Sequence, residues 1–411
     1  MDFPDEIMVD ILRRLPVKSL VRFRCVSKSW RCLISDPTFV RTHLEFHMGH
    51  IYFGTASRIA LSREADTLLS LWPHENGGDD GDGHGEGFAV TEELDLDLLK
   101  NSHYHIKGHC DGLLCLLVNS RGLEGRRLVV YNPSIREHRI LPLPPYFFDT
   151  WELVGMGYDP SIDDYKIVSI QSILIENYLG IGRVPPISAV GCCKSLRVIP
   201  RVEIYTLKSK SNSWRSLPQE DAPPFGTRIM FEAAANAHGG LYWLCLDQAA
   251  VLRHVILRFD LVEEKFRMVP LPPPLPDESY SGIAWLGSLK DSLSVICSQN
   301  AIVSHIHIWS TKDDKTWTKL ITFPMLRGPE TAYFFSRYVP FCYTKSGALL
   351  MYIRGEEVGF VMYEPRENRF RKLTVRGAEE DIHQTLYCES LVSPNCWNAD
   401  EDEAIAGRNE Q

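Results

Sequence analysis

The chain has no Cys-x-x-Cys pair, although it carries 11 cysteines. They are scattered from Cys25 to Cys396, with one adjacent pair at Cys192–Cys193. An odd number so dispersed fits neither a disulfide framework nor a zinc ribbon, and buried free thiols in a reducing compartment are expected. Long apolar runs are missing too: Leu113–Val118 is far shorter than the roughly 20 residues a membrane helix needs. Asp2, Asp5 and Glu6 stand where a secretory signal would be basic and then apolar. A cytoplasmic and/or nuclear protein with no membrane partner is therefore expected. Positive charge is in deficit, at a formal net −9, which argues against a nucleic-acid partner that would need a basic face. There is no phosphate-binding loop, HExxH, GxSxG or dinucleotide fingerprint. No catalytic residue and no cofactor is expected.

What is there begins with a compact pattern from Phe3 to Phe39. Pro4 suits the first turn of a helix, and Asp5 and Glu6 follow at the positive end of its dipole. Ile7, Met8, Ile11, Leu12 and Leu15 make one helical stripe, with Asp10, Arg13 and Arg14 off it. Pro16 ends this helix and opens the next, striped by Leu20, Phe23 and Val26. Ser27 caps a third short helix bearing Trp30, Leu33 and Ile34, which Asp36-Pro37 stops. By periodicity alone this is either a three-helix cap packed on itself or a plug for another protein. Residues 1–44 hold eight Lys/Arg against five Asp/Glu, a local excess suited to an acidic partner.

The order of residues goes further. Phe3-Pro4, Leu15-Pro16-Val17-Lys18-Ser19-Leu20, Arg22 to Lys28 and Trp30 closely resemble an F-box, particularly the plant form. That resemblance implies docking onto the Skp-type adaptor of a cullin–RING ubiquitin ligase and, through it, contact with the cullin. Carried over by position, Pro4, Ile7, Ile11, Leu12, Leu15, Pro16, Leu20 and Trp30 are the adaptor-facing or helix-organising residues it implies. Phe3 stands where the family usually has Leu.

From Ser102 onward an aromatic closes a β-like run, polar turn residues follow, and a second aromatic or His opens another. The pairs are Tyr131 with His138, Tyr205 with Trp214, Phe259 with Phe266, Trp309 with Trp317, and Tyr363 with Phe370. A period near fifty with about four short strands is a β-propeller blade, which cannot bury its own face and must stack. Five such units are visible. Pieces at 51–71, 94–98 and 385–393 complete an expected sixth, giving a six-bladed ring closed by both chain ends. The ring should leave the helical head outside, with no core to join. Two packed antiparallel sheets are the alternative, disfavoured by the regular period. The strings CDGLLCL, YNPSIRE, GYDPSIDDYKIV, HGGLYWL, IHIW and ESLVSP resemble, in this order, the plant F-box-associated domain of type 1, which is kelch-like. True kelch repeats carry a double Gly in each blade, and here Gly239-Gly240 alone sits at such a place.

His43 and His47 lie four apart, a metal-ligand spacing without an evident third ligand. The loop at 73–88 matches a calcium site at Asp80, Asp82 and Gly85, but His84 and Thr91 occupy positions where acids belong. Gln171–Arg201 is either a target-docking loop or a long hairpin, and Pro270–Pro276 is a stiff connector. The organisation expected is an F-box at 1–44, a connector at 45–101, a propeller-like domain at 102–394 and a disordered acidic tail at 395–411. The function expected is a non-catalytic substrate receptor of an SCF-type ligase with an unknown target protein and an unassigned target-binding surface. A scaffold without ubiquitin transfer, and a lectin-like or enzymatic propeller with an incidental helical head, are the alternatives.

Overall fold

The computed structural model describes residues 5–48, 57–62, 68–73, 88–93, 102–119, 125–145, 153–175, 197–223, 227–229, 234–247, 253–273, 283–290, 292–297, 305–324, 338–344, 346–353, 359–373 and 383–395. The head is α1 (Asp5–Leu12), α2 (Val17–Phe23), α3 (Lys28–Ser35) and α4 (Pro37–Met48). Four helices thus replace the three expected. Asp36-Pro37 does stop α3, but it also starts α4. The Asp36 carboxylate accepts from the backbone N–H of Thr38 at 2.9 Å and of Phe39 at 3.1 Å, and Pro37 takes the first helical position. Ser27 caps α3 through Trp30 N–H at 3.1 Å, as its sequence position suggests.

The remainder is antiparallel β-structure. One sheet holds β4 (His103–Cys110), β5 (Leu113–Asn119), β6 (Arg126–Asn132) and β7 (Glu137–Leu141); it is preceded in the chain by β1 (Ser57–Ser62), β2 (Leu68–Pro73) and β3 (Phe88–Glu93). The next holds β8 (Leu153–Asp159), β9 (Asp164–Ile175), β10 (Arg197–Thr206) and β11 (Arg215–Ser216). The third holds β12 (Thr227–Ile229), β13 (Ala235–Ala237), β14 (Gly240–Asp247), β15 (Arg253–Asp260) and β16 (Phe266–Val269). The fourth holds β17 (Ile283–Leu289), β18 (Ser292–Cys297), β19 (His305–Thr311) and β20 (Thr318–Pro324). The fifth holds β21 (Tyr338–Tyr343), β22 (Leu349–Ile353), β23 (Gly359–Glu364) and β24 (Arg369–Leu373).

Counted as runs of consecutive strands, this makes five blades, not six. The remaining sheet has a different construction: β25 (His383–Cys388) pairs with β1 over Ser57↔Cys388 to Ser62↔His383, followed by β2 and β3. Ile59 of this sheet packs with Leu350 and Phe360 of the fifth blade. Ala60 and Tyr387 pack with Leu114 and Leu116 of the first. The sequence piece 94–98 lies outside the described residues. The stretch Gln171–Arg201 is partly hairpin, since Gln171↔Arg201 through Ile175↔Arg197 extend the β9–β10 ladder; the rest of it is outside the described residues, as is the loop with Asp80.

The first aromatic of each pair sits on the third ladder strand of its blade, and the second member sits on the fourth (His138, Phe266, Phe370) or immediately before it (Trp214, Trp317). Phe259 opposes Phe266, with ring centroids 4.9 Å apart, and Tyr363 opposes Phe370 at 5.0 Å. The tryptophans also stitch blades together. Trp214 Nε1 donates to Pro142 O and Trp317 Nε1 to Pro270 O, each at 2.7 Å and each reaching the end of the preceding blade. Between the second and third blades, buried Lys166 reaches Asp159 at 2.6 Å, Glu264 at 2.7 Å and Leu261 O at 2.6 Å.

The expectation that the head has no core to join is wrong. Leu391, which follows β25, is buried among Leu12, Val17, Leu20, Ile34 and Phe39, with Ile135 from the β6–β7 turn packed against them. Leu44 of α4 belongs to the core between the first two blades, with Val392 in the same cluster and Val40 and Met48 packed on it. An α4 stripe at positions 40, 44 and 48 therefore faces the ring, while Phe39 faces the other helices.

Candidate functional site

Two surfaces of the head decide what it can do: the one that meets the ring and the one left open. The first is set by α4. Arg41 Nη1 bonds Asp111 Oδ2 at 2.9 Å, and the same oxygen accepts from Tyr165 OH at 2.9 Å. The Arg41 guanidinium lies 3.7 Å from the centroid of the Tyr158 ring. Tyr158 OH in turn donates to Asp163 at 2.7 Å. Asp111 stands in the two-residue β4–β5 turn at φ 50°, a left-handed position that Asp tolerates better than most residues. Burial is the largest influence and works to lower the Arg41 pKa, but the charge and hydrogen bond of Asp111 together with the neighbouring Tyr165 and Tyr158 more than offset it and hold the guanidinium above its ordinary value. Burial, and then the charge of Asp111, push the Tyr165 phenol well up.

His43 ties α4 to the rest of the head. Its Nε2–H donates to Leu15 O at 2.9 Å, so the neutral ring carries its proton there. Burial pushes its pKa down to about 4, against a raising effect of the Leu15 bond, and neighbouring His47 adds to the fall. The two imidazoles lie with centroids 4.4 Å apart, their planes tilted by 45°. Among the described residues no group of three or more His, Cys, Asp or Glu is arranged to hold a metal ion.

The open surface centres on α1. Ile7 and Ile11, four apart on one face, are each 48% exposed. Pro16, at the α1–α2 corner, is exposed, and Leu15 beside it is half-buried. Val26, which follows α2, is 61% exposed. Lys18, Arg22, Lys28 and Arg31, on α2 and α3, add exposed positive charge to the head. Exposed apolar side chains on a helix face that is not needed to fill its own core are characteristic of a protein interface. Burying the exposed half of each Ile on a partner is worth about 1 kcal/mol.

The sequence-derived site residues therefore divide. Ile7, Ile11 and Pro16 are presented to solvent. Leu12 and Leu20 are fully buried and organise the head from within. Trp30 is half-buried, edge-on to Phe23 with centroids 5.5 Å apart. Pro4 lies outside the described residues. Sequence reasoning missed Arg41, Asp111 and Leu391. The Asp-Gly turn at Asp111-Gly112 was a visible signal; Leu391 carried none beyond its place in ESLVSP.

Comparison with known proteins agrees with this division of the chain. The sequence pattern of the F-box domain matches residues 1–42, and that of the F-box associated beta propeller domain matches residues 86–394. The putative F-box protein At3g16210 of Arabidopsis thaliana is 26% identical over 95% of this chain and 93% of its own length. The F-box/kelch-repeat protein At3g23880 of the same plant is 26% identical over 96% of both chains. The F-box protein CPR1, also from Arabidopsis thaliana, is 24% identical over 95% of this chain and 88% of its own. Among solved structures, a Mycobacterium tuberculosis puromycin-hydrolyzing peptidase is matched at 13% identity and a TM-score of 0.37, covering 78% of this chain and 47% of that one.

Proposed function

The chain belongs to the F-box associated β-propeller family, with an F-box ahead of the propeller, and from that premise we propose that it is the substrate-recognition subunit of an SCF-type ubiquitin ligase. The α1 face with Ile7, Ile11 and the Leu15-Pro16 corner docks on a Skp-type adaptor, which joins the chain to a cullin. The propeller holds a target protein, and ubiquitin transfer gains from the raised effective concentration of target lysines, not from acid–base groups on this chain. On this reading the protein works in the cytoplasm and/or nucleus, where such ligases act. The sheet formed by β25 with β1–β3 closes the ring between the fifth and first blades; its contacts with the blades on both sides support that reading.

The observation that carries the reading is the exposed isoleucine pair on a head whose own core is already filled by Leu12, Val17, Leu20, Ile34 and Phe39. The target belongs on the ring face turned away from the head. The head touches the β4–β5 and β6–β7 turns and the segment after β25. In an antiparallel meander alternate strand ends share a face, so Asn119 and Arg126, and likewise Ile175 and Arg197, end their strands on the opposite one.

The test is adaptor capture by the full chain carrying Ile7→Asp and Ile11→Asp. We expect a loss of about thirtyfold or more, since two interface anchors at 1–2 kcal/mol each are removed and charges enter an apolar contact. Circular dichroism should be unchanged. No capture by the unaltered chain, or undiminished capture by the variant, defeats the proposal. Leu12 is the wrong position for this test, because a charge there breaks the head's core.

A further inference from the structure

We infer that the segment after the last strand, Glu389–Asn395, is a strap that completes the head, so that the adaptor-binding face forms only on a chain whose two ends have met. This rests on the adaptor reading above and adds a condition to it.

The strap is held on both sides. On the ring side, buried Asn132 sets its Nδ2 within reach of Ser390 O at 3.1 Å, Ser390 Oγ at 3.1 Å and Val392 O at 2.7 Å, while its Oδ1 accepts from Ser134 N–H at 2.8 Å. Ser393 Oγ donates to Glu137, and Asn395 Nδ2 to His138 O at 3.2 Å. Val392 enters the core between the first two blades. Gly112, at φ 84°, leaves no room for a Cβ against Cys388 O and Ser390, so the strap lies directly on the β4–β5 turn. On the head side, Leu391 is 2% exposed and packs with five buried residues drawn from all four helices.

The helices it joins are short: eight residues in α1, seven in α2 and eight in α3. Helices of that length are unstable without tertiary contacts. A leucine supplied from position 391 is thus a sizeable part of a small core. The strap reaches that place as the direct continuation of β25, whose position is fixed by pairing with β1. Synthesis delivers the F-box well before Leu391. The head therefore becomes competent only after β25 is in place, and a chain broken before Ser390 carries a complete F-box sequence with an incomplete fold.

The experiment compares the full chain with Leu391→Asp and Leu391→Ala by hydrogen–deuterium exchange and by titration with the Skp-type adaptor. Protection of α1–α3 should fall by about thirtyfold or more for Leu391→Asp, less for Leu391→Ala, with strands β8–β24 unchanged. Adaptor affinity should fall by about tenfold or more, as the competent fraction of heads falls. Unchanged α1–α3 protection in both variants overturns the inference. So does lost protection with adaptor affinity within about twofold of the unaltered chain. If the unaltered chain binds no adaptor, the adaptor reading fails on its own, and the exchange arm still decides whether the strap completes the head. Should Leu391→Asp aggregate, Leu391→Ala carries both measurements.

Discussion

Acid should loosen the head through one histidine. His43 is 1% exposed and titrates near 4 in the folded chain, against 6.5 for a free imidazole. The unfolded chain therefore binds more protons between those values, and stability rises with pH across that window. It is fully present above about pH 6.5 and is lost as pH falls toward 4. The free-energy difference grows to about 2.5 kcal/mol at pH 4.5 and is only about 0.2 kcal/mol at pH 7. Protonation also places a positive charge beside the His47 ring and within the apolar wall that includes Phe39. The comparison is with His43→Gln, which keeps an N–H able to reach Leu15 O and cannot titrate. Other histidines with lowered pKa, such as His109, His254 and His307, are common to both proteins and cancel in the difference. Urea unfolding of the two chains should give curves whose separation shifts by about 2 kcal/mol in favour of the glutamine variant between pH 7 and pH 4.5. A separation that does not change with pH would show that His43 is not held neutral, and the account of the α4–Leu15 tie would fall with it.

Two further perturbations test the ring. Gly112→Ala puts a Cβ 2.6 Å from Cys388 O, and against Ser390 Oγ, at a left-handed φ of 84°; a loss of at least about 2 kcal/mol is expected in thermal unfolding, and an unchanged midpoint would contradict the close seating of the strap. Lys166→Met leaves buried Asp159 without its cation, so urea unfolding should show a loss of about 3–5 kcal/mol; a neutral result would mean that the second and third blades do not depend on this contact.

Local patterns carried much of the architecture. The stripe through Ile7, Ile11, Leu12 and Leu15 marked a helix because each turn repeats every 3.6 residues. The aromatic pairs marked strand–turn–strand units because cross-strand neighbours share one face: Tyr131 does oppose His138, and Phe259 does oppose Phe266. A stripe does not say which of its members turns inward, however. Leu12 and Ile11 are adjacent on the same pattern, yet one is fully buried and the other half exposed. That difference is made by Leu391, Val17 and Phe39, which no spacing in the N-terminal segment announces. The Arg41–Asp111 pair joins residues 70 positions apart, and its parts read as an ordinary helix charge and an ordinary turn residue. The fourth helix was obscured because the Asp-Pro that ends one helix also starts the next.

Welding the head to one face of the ring divides the molecule into a part that must stay the same and a part that is free to change. Apart from the core that Leu44 enters, the contacts the head makes with the ring come from a short turn, a strand end or the strap. Ile175 and Arg197, the strand ends that bound the longest gap in sequence between successive strands of one blade, lie on the other face. Lengthening a connection already that long adds little entropic cost, because loop-closure cost grows only with the logarithm of length. Insertions there leave Arg41, Asp111, Asn132 and Leu391 where they are. A family built on this plan can acquire new recognition surfaces by changing loop lengths on one side while the coupling to its ligase, on the other, is inherited unaltered.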